Sequence, residues 1–402
     1  MYQMLQQKKE GMSAEVAQFA QQLISIPSVS CQEQALAGVV EGRMRELGYD
    51  KVIRDGAGNV VAAMFGRDSG PTVLLVSHMD TVAPDMKQWT TDPYQPTIAG
   101  GRLTGLGASD AKGNLAAQMY AGCLIKRSLL PLRGNLVVAA TVDEENGCSV
   151  GVRHLLEHTL SELELQADFA VLGEPTGLGL YYGHDGWAEL DISVEGANPF
   201  EVDDAARAIH RDCTAGEGGS QDVLVRPVAF IQRQGLRQAI IGVTRRLSEF
   251  GGSNQAIHTL RHGANLVANS IGNVAVEVAV RHEERKLYNG TTTMVRRMVN
   301  AWQTDPFHPL MERSRQALAA AQCSSKTGRW KLGQLGMGTA GGVLVNDFAV
   351  PTIGYGPGEE ASAHRGDESV ALEAISTAVY GTAAIVHSLV GVPVFGWTPD
   401  EI

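Results

Sequence analysis

The sequence predicts an α/β protein. Its main α/β/α domain, with a central mixed and mostly parallel sheet, would comprise residues 1–184 and 303–402, interrupted by an inserted α+β domain at 185–302. Three observations carry this reading. Short apolar runs alternate with helix-like stretches through the first part of the chain. Near Trp187 the pattern changes to a strict polar–apolar alternation, and after "DPFHPL" the α/β pattern resumes. A chain of 402 residues also exceeds what one core usually supports.

The elements follow in order. Val16, Phe19, Ala20 and Leu23 recur at helical spacing, and "IPSVS" ends that helix. Leu36, Val39, Val40 and Leu47 repeat the pattern, with Gly48 where a C-cap falls. "NVVAAMF" and "TVLLVS" read as strands, "NLAAQMYAGCLIKRSLL" as a helix, and "NLVVAATV" and "ADFAVLG" as buried strands. "WAELDISVEG" sets Trp187, Glu189, Asp191 and Ser193 against Ala188, Leu190, Ile192 and Val194, which is a half-buried strand. "VAVEVAVR" is similar, and a Gly/Ser-rich passage, "TAGEGGS", lies between the two. A helix near 311–322 and the strand "VPTIGYG" close the pattern, without internal repeat or low-complexity tract.

Composition narrows the function. Hydrophobic residues are 44% and charged residues 19%, as in a globular protein. A formal charge of -11 without a long Lys/Arg run argues against nucleic acid as partner. Five cysteines, none in CxxC spacing, read as free thiols of a reducing compartment. The polar N-terminus and the lack of a long apolar run point to a cytoplasmic protein without membrane contact.

Five motifs carry chemistry. In "LLVSHMDTV", His78 and Asp80 follow a strand on the same side, so Asp80 is placed to orient the imidazole. In "GLGASDAKG", Asp110 sits among small residues. "TVDEENG" crowds three acids, including Glu144 and Glu145, after a strand. Such crowding is costly unless a cation relieves it, and it can supply a general base. "VLGEPT" places Glu174 after another strand, and "GPGEEASAHRGDE" places His364 after a glycine turn. Singly, each fits a core histidine, a cap or an acidic loop. Jointly they form a His/carboxylate set without thiolate, which suits two close divalent ions, Zn above all, with Co or Mn as alternatives.

In order and spacing these motifs resemble the M20 metallopeptidase family of deacylases, dipeptidases and carboxypeptidase G-type enzymes. The resemblance extends from "LISIPSVS" to near the end of the chain. It implies one metal on His78, Asp110 and Glu174 and another on Asp110, Glu145 and His364. It also implies Glu144 as general base, a cis Asp110–Ala111 peptide, and a homodimer. Asn269 and Arg281, twelve positions apart, match the family's pair that meets the substrate carboxylate. The backbone of Gly356 and Gly358 would serve the same end of the substrate.

One departure stands out. Where the family has a histidine that reaches the active site, Phe200 stands near the expected position, with His210, His258 and His262 as possible replacements. The expected function is metal-dependent hydrolysis of an amide in a small carboxylated N-acyl amino acid or peptide. Two alternatives follow from the altered lid: cleavage of a carbamoyl or other C–N bond, and a catalytically impaired metal-dependent binding protein.

Overall fold

The computed structural model describes residues 2–215, 223–233, 236–247, 252–323, 326–332 and 336–392. The Gly/Ser-rich passage from residue 216 onward falls outside them. Among the described residues the principal sheet has eight strands. In spatial order they are Lys51–Arg54, Val60–Met64, Asn135–Thr141, Thr72–His78, Phe169–Leu172, Thr352–Gly354, Leu180–Tyr181 and Thr327–Gly328. The four strands from Asn135–Thr141 to Thr352–Gly354 run parallel, and antiparallel pairs flank them. The sheet is therefore mixed with a parallel centre, as expected.

Its central strands are apolar at successive positions because both faces are covered. Val73, Leu75, Leu136 and Val138 pack among helices Tyr2–Ile24, Lys112–Arg127 and Leu372–Val390, contacting a core that includes Leu115, Met119, Ile385 and Leu389. Leu74, Val76, Val137 and Leu172 face the other layer, with Leu155, Leu160 and Leu344. Each such side chain contributes roughly 1.5–3 kcal/mol on full burial. None of the described helices is long and apolar enough to cross a membrane.

The inserted segment forms a second sheet. Gly186–Gly196 lies between Leu236–Leu247 and Ala275–Val280, antiparallel to both. Helices Pro199–Ala215 and Gly252–Asn269 supply Val202, Ala205, Ile209, Ala264 and Ala268 to the apolar side formed by Ala188, Leu190, Ile192 and Val194. Trp187 departs from the alternation. It lies on the polar side yet is buried, because it packs against Gly147 and beneath the Arg297 guanidinium. A separate hairpin, His282–Lys286 with Thr292–Arg296, leaves this sheet and reaches the principal unit. There Tyr288 donates to the Gly58 carbonyl, while Asn289 and Thr291 donate to that of Gly56.

Candidate metal centre

Four parallel strands end on one edge of the sheet, and all the candidate ligands but Asp110, which precedes helix Lys112–Arg127, come from chain that leaves those ends. His78 closes its strand opposite Thr141, with Glu144 and Glu145 just beyond, while Glu174 follows Leu172. His364 follows the strand that ends at Gly354. Open α/β sheets place their sites at this carboxyl edge.

Asp110 lies between two histidines. Its Oδ1 is 3.2 Å from His78 Nε2, and its Oδ2 is 3.4 Å from His364 Nε2. Glu174 Oε2 lies 3.9 Å from His78 Nε2, and Glu145 Oε2 lies 2.8 Å from His364 Nε2. Glu144 Oε2 is 4.0 Å from His78 Nε2. All six side chains except His364 are essentially buried. His78, Asp110 and Glu145 each offer a ligand atom within 4.8 Å of the others.

The electrostatics of this group are unusual. Burial raises the proton affinity of Glu144 and Glu174, and neighbouring carboxylates add to it against the opposing pull of His78. Burial also raises Glu145, which His364 opposes. For His78, burial works against the charged form, but Asp110 and Asp80 outweigh it and lift the pKa well above the usual range. His364 is pushed up to about 11, with Glu145 and Asp110 overcoming burial. Glu144 Oε1 and Glu145 Oε1 are buried without a hydrogen-bond partner. Such atoms are rare in folded proteins and fit the positions of metal ligands or of a base. Crowded carboxylates, two imidazoles and these two oxygens together fit hard or borderline divalent cations.

The backbone around the cluster is fixed by partners far away in sequence. Asp80 carries more than the histidine. His78 Nδ1 lies 2.9 Å from the main-chain carbonyl of Asp80 and 3.5 Å from its carboxylate. The carboxylate accepts from the Glu144 and Glu145 amides and from the Ser30 hydroxyl. Glu368, which sequence reasoning did not single out, accepts from the amides of Gly107, Ser109 and Asp110. Burial and Asp110 raise its pKa to about 8, against those three amides. The Asp110–Ala111 peptide is cis, as the resemblance implied.

The candidates for the substrate end have other partners in this structure. The Gly356 amide donates to Thr176 and the Gly358 amide to Asn114, so neither points outward as a donor. The glycine at 356 is required by close approach instead, since a Cβ there would lie 2.5 Å from the Glu174 carbonyl. Asn269 ends its helix exposed, and Arg281 extends to Glu189, 3.5 Å away, where Arg226 and Arg297 also converge. Neither residue lines the cleft above the cluster or the larger cavity beside it. Phe200 is 81% exposed, and neither it nor His210, His258 or His262 lines either space.

The cleft above the acids holds about 20 Å³, with Trp330, Leu332 and Met337 along its wall. That is room for about one water. A cavity of about 540 Å³ adjoins it and shares Gly147 and Thr339. Its walls come from the segment after Glu145 and from the hairpin strand Thr292–Arg296.

Residues 74–388 match the sequence profile of peptidase family M20/M25/M40. The succinyl-diaminopimelate desuccinylase of Buchnera aphidicola is 31% identical over 191 residues, covering 46% of this chain and 50% of that protein. The [LysW]-lysine hydrolase of Deinococcus radiodurans is 28% identical over 393 residues, covering 92% and 96%. Among solved structures, the di-peptidase Dug1p of Saccharomyces cerevisiae superposes with a TM-score of 0.71 at 13% identity, covering 97% of this chain and 98% of that one. The chain spans about half the length of the first curated relatives it matches.

Proposed function

Since the chain belongs to peptidase family M20/M25/M40, we propose that it hydrolyses an amide bond in a small N-acyl amino acid or short peptide with a free carboxylate. The observation that carries this reading is Asp110 set between His78 and His364, with the unpartnered Glu144 Oε1 beside them.

His78, Asp110 and Glu174 would hold one divalent cation, and Asp110, Glu145 and His364 the other. When bound, such a pair, Zn or alternatively Co or Mn, supplies water acidity and polarises the scissile carbonyl. Asp110 is suited to sharing because each of its oxygens faces a different histidine. Glu144 is the proton carrier of this scheme. It takes the proton of the attacking water on its free oxygen and returns it to the departing amine. Its proton affinity, raised by burial and by neighbouring carboxylates in the metal-free site, would be brought down by two bound cations, leaving it ionised to act as base. Asp80 holds the Glu144 amide and so fixes where that oxygen points.

Substrate size follows from the two spaces. The cleft over the acids is too small for a substrate, whereas a cavity of about 540 Å³ suits a molecule of a dozen or more heavy atoms. The names of the relatives, a desuccinylase and a di-peptidase, fit the same class. The inserted domain, proposed at 185–302, would act as lid and as the contact of a homodimer, testable by sedimentation.

The test is Glu144→Ala assayed on N-succinyl and N-acetyl amino acids, dipeptides and N-carbamoyl amino acids. Turnover should fall by at least about a thousandfold while metal content is unchanged. Wild-type turnover in that variant would overturn the assignment of Glu144, and activity on the carbamoyl compounds alone would move the reading to another C–N bond.

A further inference from the structure

The acid loop Asp143–Asn146 is held from two sides. From within the principal unit, Asp80 takes the amides of Glu144 and Glu145, and Glu33 takes that of Asp143. From the opposite direction comes the inserted segment. Arg285, in the hairpin strand His282–Lys286, sets Nη2 at 2.5 Å and Nε at 3.4 Å from the Asp143 carboxylate. Asn146 Nδ2 at 2.8 Å and the Cys31 thiol at 3.4 Å complete the surroundings of that carboxylate. Arg297 reaches the same loop through the Asn146 carbonyl.

Asp143 is fully buried and has φ of 52°, a left-handed conformation that aspartate adopts at some cost. A buried carboxylate keeps its place only while its partners remain. The residue next in sequence is Glu144, so the backbone position of Asp143 sets where the base begins.

We propose that Arg285 is a positioning residue: by gripping Asp143 it fixes the Glu144–Glu145 backbone, which makes a competent acid pair depend on docking of the inserted segment. The proposal rests on the hydrolase reading above for its kinetic arm. The hairpin tip supplies the contrast. Tyr288 and Asn289 anchor the same hairpin on the main-chain carbonyls of Gly58 and Gly56, without contact to the Asp143 carboxylate. Docking by itself and positioning by Arg285 can therefore be separated.

The experiment compares Arg285→Ala, Arg285→Lys and Asn289→Ala in the full chain. Each is assayed for kcat and KM, for Co(II) affinity by the visible absorption of the titrated apoprotein, and for hydrogen exchange of the 142–147 segment. In Arg285→Ala, kcat should fall about 30- to 100-fold with KM within about threefold, and Co(II) affinity about tenfold, since supports of ligands commonly matter on that scale. Faster exchange of 142–147 should accompany both. Arg285→Lys should restore at least about a third of the lost activity on a logarithmic scale, and Asn289→Ala should stay within about twofold of wild type. If Arg285→Ala is too unstable to purify, Arg285→Lys and Asp143→Asn carry the same comparison. Unchanged kcat, Co(II) affinity and exchange in Arg285→Ala overturn the proposal, and so does an Asn289→Ala loss equal to that of Arg285→Ala. Should the wild type hydrolyse none of the amides, the hydrolase reading fails, and the Co(II) and exchange measurements decide the role of Arg285 by themselves.

Discussion

Replacing Asp80 separates two roles for a buried carboxylate. Were its purpose to orient His78, Asp80→Asn and Asp80→Ala would be similarly harmful, because both remove the negative charge facing Nδ1. The geometry assigns that orientation chiefly to the main-chain carbonyl of Asp80, at 2.9 Å, which survives either change. What the side chain holds is the acid loop. Its Oδ2 alone accepts from the Glu144 amide at 3.0 Å, the Glu145 amide at 3.0 Å and the Ser30 hydroxyl at 2.7 Å. Asparagine can keep a carbonyl oxygen at that position, so its cost is mainly lost charge assistance, about 1–2 kcal/mol. Alanine strands two buried amides at roughly 1–3 kcal/mol each, about 4 kcal/mol together. At about 1–2 °C per kcal/mol for a chain of this size, calorimetry should place Asp80→Ala about 4–8 °C below wild type and Asp80→Asn within about 3 °C. Metal affinity, measured by calorimetric titration, should follow the same order, with the alanine variant weakened about 10- to 100-fold. Equal losses in both variants would refute the loop-holding role, and an alanine variant with wild-type melting would remove the hydrogen-bond reasoning altogether.

Two further outcomes concern proton linkage. His184 is buried, Thr339 donates an amide to its Nε2, and burial lowers its pKa to about 4. The unfolded chain therefore takes up this proton first as pH falls from about 6.5 toward 4, and stability is lost over that window. Between pH 7 and 5 the contribution is about 2 kcal/mol, so urea unfolding at the two pH values should show a smaller difference in His184→Gln than in wild type; an identical difference sinks this assignment. Chelation should act in the opposite direction. In the metal-free protein Glu144, Glu145 and Glu174 hold protons more tightly than in the unfolded chain, so their contribution to stability is fully present below the ordinary glutamate range and is lost as pH rises through their raised values. Thermal scans of chelated protein should melt higher at pH 6 than at pH 8, and adding Zn(II) should erase the difference; a chelated protein equally stable at both speaks against the crowded-carboxylate account.

The ligand set was legible because its chemistry is local. His78, Glu145 and Glu174 stand just past apolar strands, and a parallel sheet brings such strand ends to one edge whatever the connecting lengths; Asp110 was marked instead by its small-residue loop ahead of helix Lys112–Arg127. The supports were not legible, because they join backbone to side chain across long separations. Glu368 serves amides at Gly107, Ser109 and Asp110, and nothing in "HRGDE" marks that task. The hairpin did leave a signal: Asn289–Gly290, with Gly290 at φ of 90°, sits at its turn between two strand-like runs. Arg285 becomes meaningful only once that hairpin is folded back onto the acid loop.

The substrate-end candidates rest on spacing, which has a second cause. Asn269 closes a helix and Arg281 follows the next strand, so their spacing is already set by a helix, a short turn and Ala275–Val280. A sequence that keeps this helix–strand unit keeps the spacing even when the arginine has another partner, and here it has one in Glu189. The spacing therefore reports the architecture of the inserted sheet. Glu189 lies on that strand and draws in Arg226 and Arg297 as well, which makes the convergence a structural knot of the inserted sheet. The 540 Å³ cavity has an arginine of its own, Arg296, on the hairpin wall next in sequence to Arg297.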